Sequence, residues 1–249
     1  MKIFYNEKLQ QINVLDERFY TDDNVRFYPS ATTVLSVYPK GGYFQEWLKN
    51  VGINADEIRD RAAEVGSNVH DAIDKYLKGG EINWFNEHGL ELYTLEEWQM
   101  INKFVEFWER FNPELISTEI SLISHKMKLG GTLDLVCKIN NEIWLIDHKT
   151  SNAIQKTHEL QLAAYVELWN ELNPKFPIQR KGVMHLKAQT RTEGKNGKIQ
   201  GKGWKLHEFE RPQEEAYRLY RYTRAIWDEE NPNYRPKNLV YPVSFKRTA

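Results

Sequence analysis

Gly131-Thr-Leu-Asp134-Leu-Val-Cys-Lys-Ile-Asn-Asn-Glu-Ile-Trp-Leu-Ile-Asp147-His-Lys149-Thr150 is the stretch on which the reading of this chain turns. Two β-rich runs flank Asn140-Asn141, and asparagine tolerates the positive φ that a two-residue hairpin turn requires. With those asparagines as the loop, Ile139 faces Glu142, and on the same register Asp134 lies directly opposite Asp147. Directly opposed residues hold their Cβ atoms roughly 4.5–5.5 Å apart on one face of the sheet. Strand side chains alternate, so Lys149 shares a face with Asp147. Two opposed carboxylates repel, and a hard divalent cation between them removes that cost. An ammonium two residues on can orient or deprotonate a water, or stabilise a charged phosphorane. Those are the needs of phosphodiester hydrolysis. The competing reading is a solvated hairpin face carrying ordinary charges.

The rest of the chain supplies a frame for that hairpin. Its 249 residues with 41% hydrophobic content can bury a sizeable core, which argues against the disordered class. No apolar run is long enough to cross a bilayer, and the opening MKIFYNEKLQQ lacks the apolar stretch of a secretory signal. The expectation is therefore a soluble chain of the cytoplasm, with no membrane among its partners. A single cysteine, Cys137, excludes a disulfide within the chain and any iron–sulfur or zinc site built on several thiolates. Lys+Arg 34 against Asp+Glu 35 leaves net charge silent about nucleic acid, so any electrostatic footprint must be local.

With no internal repeat or linker-like tract, the sequence reads as one domain over residues 1–249. Short β-like runs occur at 18–20 and 25–28, and a short helix at 43–50. Apolar positions Ile58, Ala62, Val65, Val69, Ile73 and Leu77 fall at helical spacing, which predicts a helix over 55–77. A second amphipathic helix is expected over 95–111, ended by the region of Pro113. Strands follow at 115–124, 131–139 and 143–149, then a helix at 157–170, strands at 182–187 and 204–209, and a closing helix at 212–229. That order implies an α/β class with a central mixed sheet flanked by helices.

His70 lies four residues after Gly66 and three before Ile73, hence on the buried side of its helix. Gly66 costs roughly 1 kcal/mol of helix propensity relative to alanine, and its missing side chain leaves room beside the histidine for an ion or a phosphate. Alone, His70 reads rather as a core histidine satisfied by a carbonyl. Gln161 and Tyr165 form an i, i+4 pair on one helix face.

Five ordered pieces together resemble the RecB-like branch of the PD-(D/E)XK nucleases: Gly66-Ser-Asn-Val-His70 on a helix, Glu119 opening a strand, Gly130-Gly-Thr-Leu-Asp134, Ile146-Asp-His-Lys149-Thr150, and Gln161-Leu-Ala-Ala-Tyr165. They span residues 66–165. The earlier Tyr28-Pro-Ser-Ala-Thr-Thr-Val-Leu35, followed by Trp47, is similar to the entry segment of phage exonucleases and of the mitochondrial genome-maintenance exonuclease. The resemblance implies a restriction-endonuclease-like core with an N-terminal helical portion, and an Mg²⁺- or Mn²⁺-dependent exonuclease acting on single-stranded DNA or DNA ends. It implies metal binding by Asp134, Asp147 and the main-chain carbonyl of His148, with His70 as an additional ligand. Lys149 becomes the catalytic lysine. Glu119 helps hold water or a second ion, and Gln161 and Tyr165 orient the site and touch the phosphate backbone. Asp147 stands where many relatives have glutamate, which shortens the reach by one methylene. Without a cysteine set, the iron–sulfur cluster of some RecB-like relatives is excluded.

DNA contacts are expected from two further places. Arg180, Lys181, Lys187, Arg191, Lys195, Lys198, Lys202 and Lys205 face a single acid, Glu193, in a glycine-rich stretch that reads as a basic loop for phosphates or as a solvated loop. Ser30, Thr32 and Thr33 can donate to phosphates or form a capped turn after Pro29. Tyr28, Tyr43 and Trp47 can stack on bases, although core packing is the alternative. Two rival functions remain: a structure- or site-specific endonuclease on the same core, and a non-cutting DNA-binding module.

Overall fold

The computed structural model describes residues 4–5, 11–14, 17–23, 25–187, 204–236 and 246–247. A small antiparallel sheet of β1 (Phe4–Tyr5), β2 (Gln11–Val14) and β3 (Glu17–Tyr20) opens the chain. Helices α1 (Ala31–Val34), α2 (Gly41–Val51), α3 (Ala55–Leu77) and α4 (Leu95–Phe111) follow. The central sheet has five strands in the order β4 (Glu114–Ser124), β5 (Leu129–Ile139), β6 (Glu142–Lys149), β7 (Arg180–His185) and β8 (Lys205–Glu208). Helix α5 (Lys156–Leu172) connects β6 to β7, and α6 (Gln213–Glu230) closes the fold.

The sheet is mixed, as expected. β4, β5 and β6 are antiparallel neighbours, β7 runs parallel to β6, and β8 is antiparallel to β7. A parallel neighbour demands a crossover, which α5 supplies. Leu133, Val136, Leu145 and Val183 pack with the α1, α5 and α6 layer. Leu135, Cys137, Ile146 and Met184 pack with α3 and α4 on the other side. The architecture is therefore helix layer, sheet, helix layer, with the strand ends of β5 and β6 between two covered faces.

Local chemistry explains the boundaries. Asn140 and Asn141 sit at φ 51 and 68, the paired left-handed conformation of a tight hairpin turn. The expected register holds, with Ile139 opposite Glu142 and Leu135 opposite Ile146. Helix α4 starts in a capping box, with Thr94 Oγ1 accepting from Glu97 N and Glu97 Oε2 accepting from Thr94 N. It ends at Asn112 in the left-handed region, just before Pro113. Helix α3 is 23 residues long, yet its buried residues are Val69, Ala72 and Ile73, so only its second half leans on the sheet.

Two expectations change. Residues 25–28 are not a strand: Asp23 Oδ1 accepts from the amides of Val25 and Arg26, which ties that segment into a turn, and only Tyr28 bridges to Tyr20. The strand expected at 182–187 begins two residues earlier, which takes Arg180 and Lys181 out of the supposed basic loop and into β7. The paired glycines of the hairpin strand are closely packed. A Cβ on Gly130 would fall 2.2 Å from Tyr20 Cβ, and one on Gly131 would fall 2.4 Å from Tyr165 Cε1. Their bare backbones let a tyrosine ring press on each side of β5. Replacing Thr94 by alanine removes the cap of α4 and is expected to lower unfolding stability by about 1 kcal/mol, read as a shift of the denaturant midpoint at constant m-value.

Candidate metal and phosphodiester site

The functional side chains gather where β5 and β6 separate. The β5–β6 ladder runs as far as Leu135 opposite Ile146 and stops one step before the two aspartates. There, Asp134 Oδ2 accepts the amide hydrogen of His148 at 2.7 Å. The hairpin register leads to the level of the two aspartates, but the ladder does not pair them. A carboxylate of β5 takes an amide of β6, and the two acids keep different partners, although Asp147 still feels the charge of Asp134. Asp147 turns to the α5 side, where its Oδ1 accepts from Gln161 Nε2 at 2.8 Å and its Oδ2 meets Lys149 Nζ at 2.6 Å. Asp134 belongs with α3 and β4.

On that side His70, Glu119 and Asp134 offer one ligand atom each within 4.8 Å of one another. His70 Nδ1 is 3.2 Å from Glu119 Oε1 and 3.7 Å from Asp134 Oδ2. Glu119 reaches this place through an unusual backbone. Its φ is 45, left-handed for a non-glycine residue in the middle of a strand. Such a conformation costs on the order of 1–3 kcal/mol and persists only where the surroundings impose it. Thr118 pairs with Leu135 and Ile120 with Leu133, so Glu119 stands level with Asp134. The distortion turns its carboxylate to the histidine.

The electrostatics follow from burial. Burial alone would push the His70 imidazole down, but Asp134 and Glu119 outweigh it and raise its pKa to about 9. Burial raises Asp134 and Asp147 above the usual carboxylate range, against the pull of His70 and Lys149 respectively. Lys149 loses solvation as well, yet Asp147 and Asp134 hold its pKa above the ordinary lysine value. Two cations therefore balance the buried acids. The His148 ring is sealed between Phe104 and His70, with centroids 5.0 and 5.6 Å away, and both its nitrogens lack a hydrogen-bond partner among the described residues. Burial keeps it neutral.

With this geometry established, the PD-(D/E)XK nuclease superfamily profile matches residues 43–236. The chain belongs to that superfamily. No curated protein matches it. Among solved structures it is similar to a Eubacterium rectale protein provisionally described as an exonuclease, at 11% identity and TM-score 0.41, covering 76% of this chain and 77% of that one. The crystal structure of SSO0001 is also similar, at 15% identity and TM-score 0.28, covering 55% of this chain and 59% of that one. The superfamily accounts for the restriction-endonuclease-like α/β core and for a site built to hold a divalent metal.

The remaining site residues of this superfamily member take varied positions. Gly66 does not leave an empty slot: a Cβ there would sit 3.3 Å from Thr150 Oγ1, so the glycine brings α3 against the end of β6. Tyr165 is 4% exposed, packed on Gly131 rather than presented to solvent. Ser30 is buried and caps α1, its Oγ accepting from Thr33 N and bonded to the hydroxyls of Thr32 and Thr33. Ser30 and Thr32 line a cavity of about 320 Å³ with Arg18, Thr33, Ser36 and Asn231. Arg180 is held by Glu142 and Glu208, and Lys181 is buried with its Nζ donating to Gln213. Lys187 Nζ pairs with Glu96 at 2.5 Å. Arg191, Lys195, Lys198 and Lys202 lie outside the described residues. Tyr28 is buried and bonded to His125, Trp47 stacks on Phe44, and the Tyr43 side chain lies outside the described set.

Two histidines escaped the sequence reading. His158, in the first turn of α5, and His185, opposite Lys149 in the parallel β6–β7 pairing, both stand on the Asp147–Lys149 side. His158 was legible as a neighbour of Gln161 at i, i+3; His185 was not, because parallel pairing across a helix leaves no local trace. Without metal, stability is expected to fall as pH rises. The raised His70 pKa contributes stability that is complete below its unfolded value of 6.5 and is lost as pH rises through about 9. The raised carboxylates act in the same direction at lower pH. Melting temperatures of chelator-treated protein across pH 6–10 should show this slope, flattened in His70→Gln.

Proposed function

We propose that this chain is a divalent-metal-dependent DNA exonuclease of the RecB-like branch, acting in the cytoplasm on single strands or DNA ends in DNA processing, replication or recombination. The observation that carries the reading is the convergence of His70, Glu119 and Asp134 beside the Asp147–Lys149 pair. The donor set suits Mg²⁺ or Mn²⁺: oxygen-rich, with the strained Glu119 backbone holding a carboxylate against another. His70, Asp134 and Glu119 would hold the ion, with Asp147 and the His148 carbonyl as further candidates. When bound, the metal supplies Lewis acidity and lowers the pKa of a water.

The chain's own groups supply the rest. Lys149, kept protonated by the buried acids, stabilises negative charge on the phosphate. Gln161 fixes Asp147, which fixes Lys149. His70 and Asp134 set the position of one face of the site, and the ring of His148 fills the space behind them. The preference for strand ends rests on the likeness of 28–35 to exonuclease entry segments. There, Thr32 and Arg18 line a cavity without a carboxylate among its described walls, suited to a backbone phosphate. Lys187 and Arg191 extend the phosphate contacts.

Asp134→Ala and Lys149→Ala are each expected to reduce cleavage by on the order of 10²–10³-fold or more while retaining oligonucleotide binding. Unchanged cleavage in both variants refutes the site. Activity should require Mg²⁺ or Mn²⁺ and vanish with chelator. A circular single-stranded substrate should survive while its linear form is degraded; cutting of the circle would instead identify an endonuclease on the same core.

A further inference from the structure

The phosphate site proposed above has a described wall on the α3 side, made by His70, Glu119 and Asp134. Its α5 side holds a group that none of those roles uses. His158 stands three residues before Gln161, so both lie on the α5 face that meets Asp147. The ring is only 9% exposed. Its Nδ1 accepts the Gln155 amide hydrogen at 3.3 Å. That bond decides the tautomer, because a neutral imidazole accepting at Nδ1 must carry its proton on Nε2.

Nε2 has no hydrogen-bond partner among the described residues, yet it is not one of the sealed, unpartnered atoms, as both nitrogens of His148 are. It is an N–H donor that keeps contact with solvent. The charged and titratable groups around it are Lys149 and Asp147 from β6 and His185 from β7. His185 is itself engaged, its Nε2 bonded to Ser151 O at 2.7 Å. Burial first and then the Lys149 charge hold the His158 pKa near 4, so the ring stays neutral through the physiological range. A neutral, orientation-locked donor next to an ammonium suits an anion better than a second cation, which would have to be desolvated beside the first.

We propose that His158 contacts the substrate directly, its Nε2–H donating to a non-bridging oxygen of the phosphate held between Lys149 and the His70 side of the site. This rests on the phosphodiester-cleaving reading above. A purely structural role as the N-terminal cap of α5 is the alternative, and side-chain isosteres separate the two. His158→Asn places an acceptor where Nδ1 is and keeps the cap, but has no donor at Nε2. His158→Gln reaches the Nε2 position with a donor and weakens the cap.

The test measures cleavage of an end-labelled oligonucleotide with Mn²⁺ at pH 6 and pH 9, melting temperature, and affinity for the same oligonucleotide in chelator. The expected result is a loss of kcat on the order of 10–100-fold in His158→Asn, equal at both pH values, with melting temperature unchanged and oligonucleotide affinity weakened. His158→Gln should recover most of the rate despite a lower melting temperature. Wild-type rates in His158→Asn overturn the proposal, as does an equal loss in both variants. Lys149→Ala run alongside keeps the failures distinct: if it also cleaves normally, the underlying site reading has failed, and His158 with it.

Discussion

Two carboxylates from neighbouring strands, Glu119 and Asp134, are held within 4.8 Å of each other in a half-buried place, with a third, Asp147, buried close by. Two unit charges at that separation repel by roughly 3–4 kcal/mol even at an effective dielectric near 20. The metal-free chain meets this cost with a protonated His70 on one side and Lys149 on the other. Most features of the fold make sense as ways to hold that balance. Helix α3 carries His70 in with Gly66 close against Thr150, and α5 brings Gln161 to Asp147.

The backbone bears part of the load. Asp134 takes an amide of β6 into its carboxylate, and Glu119 adopts a left-handed conformation that an ordinary strand residue avoids. Both irregularities lie at the same level of the sheet, and both turn acids toward His70. The flanking Gly130-Gly131 pair admits Tyr20 and Tyr165 onto the strand, so the irregular segment is clamped by two aromatic rings rather than left loose. Glu119 bears the left-handed conformation at the site, while Leu133 and Leu135 on either side of Asp134 remain fully buried.

The sheet also divides the chemistry. On the α3 and α4 side stand His70, Glu119, Asp134 and the sealed His148 ring; on the α5 side stand Asp147, Lys149, Gln161, His158 and His185. On the proposed function, a substrate phosphate lying across the strand ends would meet both. This is why the site is assembled from so many elements and why α5, buried along most of its length, is as much a part of it as the hairpin.

Much of this was readable from residue order alone. The hairpin register, the extents of α3 and α4 and the mixed sheet follow from local rules: asparagine at positive φ, helical spacing of apolar residues, caps and prolines acting over a few residues; the candidate set of His70 and Glu119 with the hairpin acids and Lys149 came from the resemblance of five ordered motifs. What only the tertiary structure decided is how those groups partner. Alternation along β5 and β6 placed Asp134 and Asp147 opposite one another, but the ladder stops short of them: Asp134 takes the His148 amide, while Asp147 takes Lys149 and Gln161. Glu119 joined His70 through a backbone conformation no propensity anticipates, and His185 came alongside Lys149 through a parallel crossover. Such choices depend on competition between a carboxylate, an amide and two cations that meet only when distant segments have packed, and that competition leaves no mark in the sequence.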